Sequence, residues 1–266
     1  MPNLFNEHAS IVSNECVYGR LNVMVLKAPN LSSALEPGQF VHMKISGMLD
    51  HVLRRPFSVY SWNREQGTIE ILYQTVGAGS SHMATLKAGE EAELIGPIGN
   101  VWLSTQGDLK PKRVLLVGGG VGAAPLFEFY RALVEKGVET HAVLGAQTKD
   151  ALVALERYKA VCGKEPFCST DDGSYGYAGF ATGLVEELLD ADKASYDYVA
   201  VCGPAPLMRI VSSVVIDRGI ACEVSLEKRM ACGIGACLSC VCDTKSHGRK
   251  RVCVDGPIFD AREVVW

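Results

Sequence analysis

The chain has 266 residues, 48% of them hydrophobic, which is enough to bury more than one core and fits two or three domains better than one. Its formal net charge of −4, with both signs mixed along the chain, gives no reason to expect nucleic acid or an anionic membrane as partner. No apolar run is long enough to span a bilayer, and Met1–Ser10 contains no apolar targeting core, so a cytoplasmic protein is expected.

From Ile11 to Ile95 the pattern predicts short strands at Gln39–Ile45, Phe57–Ser61, Thr68–Val76 and Glu91–Ile95. Glu36-Pro37-Gly38 and Lys87-Ala88-Gly89 punctuate them, which suggests an antiparallel barrel or sandwich. Within this region Leu53-Arg54-Arg55-Pro56-Phe57-Ser58-Val59 offers a fixed cationic fork at Arg55 for a pyrophosphate, and a hydroxyl at Ser58 for the edge of a flavin. An exposed Arg and a buried Ser would explain that run equally well by itself. Leu72-Tyr73-Gln74 then ends a strand, and Gly77-Ala78-Gly79-Ser80 opens a helix-like stretch, Ser81–Leu86, whose N–H groups could face a phosphate. Gly96-Pro97-Ile98-Gly99-Asn100 is expected to be a closing turn, and Gly107–Lys112 a linker.

The period then changes. A fully apolar strand, Val114–Val117, precedes helical spacing at Leu126, Phe129, Tyr130, Leu133 and Val134, with Gly137 as a helix stop. Strand and helix alternate onwards through Val138–Leu144, Ala151–Ala160, Phe167–Thr170, Leu184–Leu189, Tyr198–Cys202, Leu207–Ile216 and Ala221–Leu226. This predicts a parallel sheet covered by helices on both faces. Gly118, Gly120 and Ala123 match G-x-G-x-x-A between a strand and a helix, where a dinucleotide fits, and Gly120 and Gly122 allow close backbone approach. The acidic residue usual after the next strand is replaced by Ala146-Gln147-Thr148, which argues for a smaller relative that binds its nucleotide transiently. Cys202-Gly203-Pro204 ends a further strand, at the edge where such sheets hold ligands. Asp171-Asp172-Gly173-Ser174 would repel a 2′-phosphate, which favours NAD over NADP.

Five of the ten cysteines fall in the last stretch, after Glu227, which is too short to build its own core. Cys232-x4-Cys237-x2-Cys240, followed by Cys253, is the plant-type ferredoxin spacing for a [2Fe–2S] cluster. Gly233 and Gly235 would let the loop close round the inorganic core. A zinc site held by four thiolates is the alternative, and Cys242 could replace one ligand.

Taken together, Arg55-Pro56-Phe57-Ser58, Gly77–Ser80, Gly118–Pro125 and Cys202-Gly203-Pro204 resemble the ferredoxin–NADP reductase superfamily. More narrowly, Ser225–Cys237 and Cys253-Val254-Asp255-Gly256-Pro257-Ile258-Phe259-Asp260 resemble the electron-transfer subunits of class 1B dihydroorotate dehydrogenases. The resemblance implies an FAD-binding β-barrel at 1–106, an NAD-binding α/β domain at 107–224 and a [2Fe–2S] domain at 225–266. It implies FAD contacts from Arg55, Pro56, Phe57, Ser58, Leu72, Tyr73, Gln74, Gly79 and Ser80. NAD(H) would meet Gly118, Gly120, Gly122, Cys202 and Gly203, and the cluster ligands would be Cys232, Cys237, Cys240 and Cys253. It also implies an FMN-containing catalytic partner in pyrimidine biosynthesis, in a heterotetramer of two of each. Electrons would pass from FMN through the cluster and FAD to NAD. No residue need act as acid or base, and each of the six histidines is read as structural or surface. Another flavin/iron–sulfur subunit of the superfamily, of the ferredoxin:NADP oxidoreductase or sulfite/sulfide reductase type, and a zinc-stapled binding module are the competing readings.

Overall fold

The computed structural model describes residues 4–48, 53–191 and 196–266. The first half is a seven-stranded antiparallel sheet. Its strands are β1 (Phe5–Tyr18), β2 (Leu21–Lys27), β3 (Phe40–Lys44), β4 (Arg55–Ser58), β5 (Ser61–Asn63), β6 (Thr68–Gln74) and β7 (Glu91–Ile98), in the order β4-β3-β7-β1-β2-β6-β5. Val41 and Met43 of β3 share one buried cluster with Ile69 and Ile71 of β6, so the two flanks of the sheet curl over a common core. Side chains alternate as strand geometry requires. Val41 and Met43 face that core, while Phe40 joins a different cluster outside it. Two short helices close the barrel, α1 (Pro29–Ala34) and α2 (Ala78–Met83). The carboxylate of Glu7 accepts from the amides of Asn30 (3.0 Å) and Leu31 (2.9 Å), capping α1 from β1.

The second sheet carries β8 (Arg113–Gly119), β9 (Glu139–Ala146), β10 (Phe167–Thr170), β11 (Tyr177–Ala178), β12 (Tyr198–Cys202) and β13 (Ala221–Ser225), all parallel. Its helices are α3 (Ala124–Glu135), α4 (Leu155–Cys162), α5 (Ala181–Ala191) and α6 (Ala205–Asp217). Along β8, Val114 and Leu116 pack into the cluster that holds α3 and α4, and Leu115 and Val117 into the one that holds α5 and α6. Both faces are therefore covered, which is why these strands are apolar without interruption.

The cysteine-rich segment adds a hairpin, β14 (Val241–Thr244) with β15 (Gly248–Arg251), and a last short strand, β16 (Ile258–Asp260). β16 pairs antiparallel with β13 and becomes the seventh strand of the second sheet. Met230, Cys240, Val252 and Cys253 are buried in the same cluster as Val199, Val211 and Val224, so the segment borrows the neighbouring core instead of forming one.

Barrel and sheet are locked together. The buried Glu128 of α3 accepts from Ser61 Oγ (2.6 Å), and Trp102 stacks on Phe129 with its Nε1 donating to the Pro125 carbonyl (3.1 Å). Glu223, fully buried on β13, accepts from the amides of Leu103 (2.7 Å) and Thr105 (2.9 Å) and from the Tyr198 hydroxyl. Two local expectations change. The run from Gly96 to Ile98 continues β7 through a cis Gly96–Pro97 bond instead of forming a turn, and the helix at the second glycine turn begins at Ala78 rather than Ser81. No helix among the described residues is long and apolar enough to cross a membrane.

Candidate functional site

β4 sets the first wall of the site. Pairing with β3 opposes Phe57 to Val41 and Ser58 to Phe40, and holds the run Arg55–Ser58 extended. Pro56, Phe57 and Ser58, with Leu72, Tyr73 and Gln74 from the end of β6, line a cleft of about 560 Å³. The Phe57 ring meets Tyr73 edge-on at 6.1 Å, which fixes both aromatic groups beside the cavity. Arg55, Gly79 and Ser80 do not line this cleft; Arg55 and Gly79 meet each other. A Cβ added at Gly79 would stand 2.6 Å from Arg55 Nε, so only glycine lets the guanidinium lie against the turn. The hydroxyl of Ser80 is engaged within the turn, accepting from the amides of Val76 (2.9 Å) and Gly77 (3.2 Å). It shapes the turn, whereas the sequence suggests it contacts a ligand.

A second cavity, of about 540 Å³, opens where β8 and β12 end. Gly119, Gly120 and Gly122 line it with Gly203 and Pro204. The glycine pattern has an identifiable steric cause. A Cβ on Gly122 would lie 2.4 Å from the Cys202 carbonyl oxygen, and one on Gly118 would lie 2.8 Å from the Ala123 Cα. Gly120 has φ +56 and open space beyond it. The turn is a 3₁₀ helix, Gly120–Ala123, that runs directly into α3. Cys202 is buried, and burial together with the Glu227 charge pushes its thiol far above the usual range, so it remains protonated. Beyond β10 the Asp172 carboxylate accepts from Ser174 Oγ (2.7 Å) and N (3.0 Å), which hold it below the ordinary range and therefore ionised.

The two cavities share a wall. Gln74, Val121, Leu226, Glu227 and Lys228 line both, so the two cavities adjoin. The sequence reading includes Gln74 but misses Leu226, Glu227 and Lys228. Their position directly after the carboxyl end of β13 was the available signal, since open α/β sheets bind ligands at that edge.

Met230 lines the first cleft, and the cysteine loop begins two residues later. Cys240 and Cys253 are buried with their sulfurs 3.3 Å apart. The Cys237 amide donates to Cys232 Sγ at 3.4 Å. Hydrogen bonds from Ser239 and Cys232 hold the Cys237 thiol down at about 6, close to a ligand that is a thiolate at neutral pH. Gly233 (φ +70) and Gly235 (φ +84) turn the loop back on itself. Cys240 and Cys253 thus meet sulfur to sulfur, while Cys232 is tied to Cys237 through the backbone amide of Cys237. Among the described residues no group of three His, Cys, Asp or Glu side chains is placed to hold one metal ion. Cys242 is buried on β14 and lines the second cavity, so its thiol takes part in neither contact.

Comparison with known proteins covers the same three segments. Residues 8–102 match the model of the oxidoreductase FAD-binding domain, 116–213 that of the oxidoreductase NAD-binding domain, and 227–265 that of the iron–sulfur cluster binding domain of dihydroorotate dehydrogenase B. The electron transfer subunit of dihydroorotate dehydrogenase B (NAD(+)) from Bacillus pumilus is 36% identical over 97% of both chains. Its counterpart from Geobacillus thermodenitrificans is 38% identical over 97% of this chain and 98% of its own. Among solved structures, one described as the NADH-dependent reduced ferredoxin-NADP oxidoreductase, studied for flavin-based electron bifurcation, superposes with a TM-score of 0.85 at 30% identity, covering 97% of this chain and 90% of that one. The ferredoxin reductase in carbazole 1,9a-dioxygenase shares the fold at 21% identity and a TM-score of 0.69, over 82% of this chain and 67% of its own.

Proposed function

This chain belongs to the family of electron transfer subunits of NAD(+)-dependent dihydroorotate dehydrogenase B, and we propose that it works through two adjoining cavities and a cysteine loop. It is an oxidoreductase subunit with FAD, a [2Fe–2S] cluster and NAD(H) as its cofactors. When bound, FAD exchanges electron pairs with NAD(H), and the cluster carries single electrons to and from a catalytic partner, which we take to hold FMN.

The residues common to both cavities carry this reading, because a flavin in the first and a nicotinamide in the second would lie against the same side chains, Gln74, Val121, Leu226, Glu227 and Lys228. In the first cleft Pro56, Phe57, Leu72 and Tyr73 exclude water from the flavin ring, and Ser58 and Gln74 supply polar groups for its edge. Arg55, lying against Gly79, binds the pyrophosphate. In the second, Gly120 and Gly122 expose backbone for the dinucleotide, Gly118 lets the turn pack on Ala123, and Gly203 keeps the strand end low beside the protonated Cys202. The fixed, ionised Asp172 repels a 2′-phosphate and so selects NAD over NADP. Cys232, Cys237, Cys240 and Cys253 would hold the irons of the cluster, which would supply single-electron transfer there. We take 1–106, 107–224 and 225–266 as the working units, in a cytoplasmic heterotetramer of two electron-transfer and two catalytic subunits.

The test is an anaerobic visible spectrum of the purified chain before and after NADH. Flavin and cluster bands that bleach on addition support the path; a colourless, zinc-containing protein refutes it.

A further inference from the structure

His42 lies on β3 between the flavin-binding strand and the cysteine loop, and the function described so far gives it no task. It pairs in register with Pro56 of β4. By strand alternation its side chain shares the outward face with Phe40, which lines the first cleft and packs in the cluster that holds Cys240 and Cys253. The residue is 0% exposed, and neither ring nitrogen has a hydrogen-bond partner among the described residues. Backbone groups of Arg54 and Cys232 lie near the ring but outside hydrogen-bonding geometry.

The cysteine loop rests directly on this imidazole. A Cβ added at Gly233 would stand 2.5 Å from His42 Nδ1, so the glycine following Cys232 is what lets the loop sit there. A buried imidazole with one N–H and one lone pair both unmet carries the full desolvation penalty of each group, and such groups in native proteins mark a missing partner. An apolar residue of similar size would fill the same space without that cost. Iron–sulfur centres take up hydrogen bonds at their sulfurs, and such bonds tune their potentials.

We propose that His42 is a positioning residue for the iron–sulfur centre, presented by the flavin-binding sheet beneath Gly233 so that its ring N–H donates to the Cys232 thiolate of the assembled cluster. The inference rests on the reading of Cys232, Cys237, Cys240 and Cys253 as the ligands. A donor at a ligand sulfur favours the reduced cluster, whose negative charge is greater. His42 thereby couples the seat of the cluster to the strand that carries the flavin contacts.

Reductive titration of the loaded chain, with the cluster followed by EPR and the flavin by its visible bands, tests this. His42→Leu should make the cluster about tenfold harder to reduce, a shift of about 59 mV to lower potential for a one-electron couple, and leave the flavin couple in place. His42→Gln, which retains an N–H donor, should stay near wild type. A His42→Leu cluster with unchanged potential and EPR spectrum overturns the proposal. If His42→Leu retains FAD but loads no cluster, His42→Gln decides. A wild-type-like cluster there supports the proposal; a shifted cluster, or none while FAD is retained, overturns it. A wild-type chain without any cluster signal refutes the ligand reading instead, and the proposal with it.

Discussion

Arg55 lies against Gly79 at a spacing that a single added carbon would close, so the guanidinium rests on this turn only because position 79 has no side chain. Removing the charge in Arg55→Ala should raise the dissociation constant for FAD about ten- to hundredfold, the usual value of a charge-assisted contact, as read by flavin retained on gel filtration and by fluorescence titration. Cys237 is the exposed member of the four thiols and the one whose deprotonation is made easy by Ser239. Cys237→Ser should abolish the cluster EPR signal and transfer to the catalytic partner, while NADH oxidation with an artificial acceptor persists. Retention of the signal would bring Cys242 forward as a substitute ligand. Both residues are legible in the sequence, because Arg-Pro-Phe-Ser and the x4/x2 cysteine spacing are local patterns. Ser80 is legible only as a hydroxyl. That it spends its hydrogen bonds on Val76 and Gly77 depends on the turn it folds into.

Among elements, the crossing of the 3₁₀ turn Gly120–Ala123 with the end of β12 is the tightest in the nucleotide site. Gly122→Ala would drive a methyl group to 2.4 Å from the Cys202 carbonyl oxygen. Overpacking of this kind costs about 1–3 kcal/mol, so the KM for NADH should rise and the thermal midpoint fall together. The barrel carries a pH-dependent tie between β7 and the segment entering β4. Burial alone would raise the Glu93 carboxyl, but the hydrogen bond and charge of Arg54 outweigh it and hold the group below the ordinary carboxylate value of 4.5. A depressed carboxylate adds stability that is fully present above pH 4.5 and is lost as the pH falls through the folded value. Glu93→Gln should therefore lower the thermal midpoint at pH 7, and the gap to wild type should narrow as the solution is acidified below pH 4.5. Strand bounds follow the same logic of local and distant information. β12 coincides with its predicted limits because both its faces are buried and apolar and Gly203-Pro204 ends it, and β10, set between Pro166 and the Asp171–Gly173 turn, coincides as well. The long hairpin of β1 and β2 has no comparable signal, since the second half of β1 is exposed on both faces and its alternation fades.

Across the whole molecule, Glu223 is the buried carboxylate that ties the segment leaving the barrel to the second sheet. Glu223→Ala would leave the Leu103 and Thr105 amides and the Tyr198 hydroxyl unmet. The expected loss is about 3 kcal/mol, or roughly 10 °C in the midpoint of a calorimetric scan, with Glu223→Gln intermediate. The set of residues common to the two cavities is the feature that the sequence leaves least visible, because Glu227 and Lys228 border both from a strand end distant in sequence from β4 and from the Gly118–Ala123 turn.

Pairing of β16 with β13 makes the cysteine-rich segment part of the sheet that binds the nucleotide, with Cys253 only five residues before the edge strand. The segment is therefore no cassette. A chimera that exchanges it between relatives at the end of β13 would separate two strands that share one ladder and strip the sheet of its protected margin. The iron-binding portion should therefore fold in a chimera only when it is moved together with the strand it borders, as a thermal melt of the two chimeras would show.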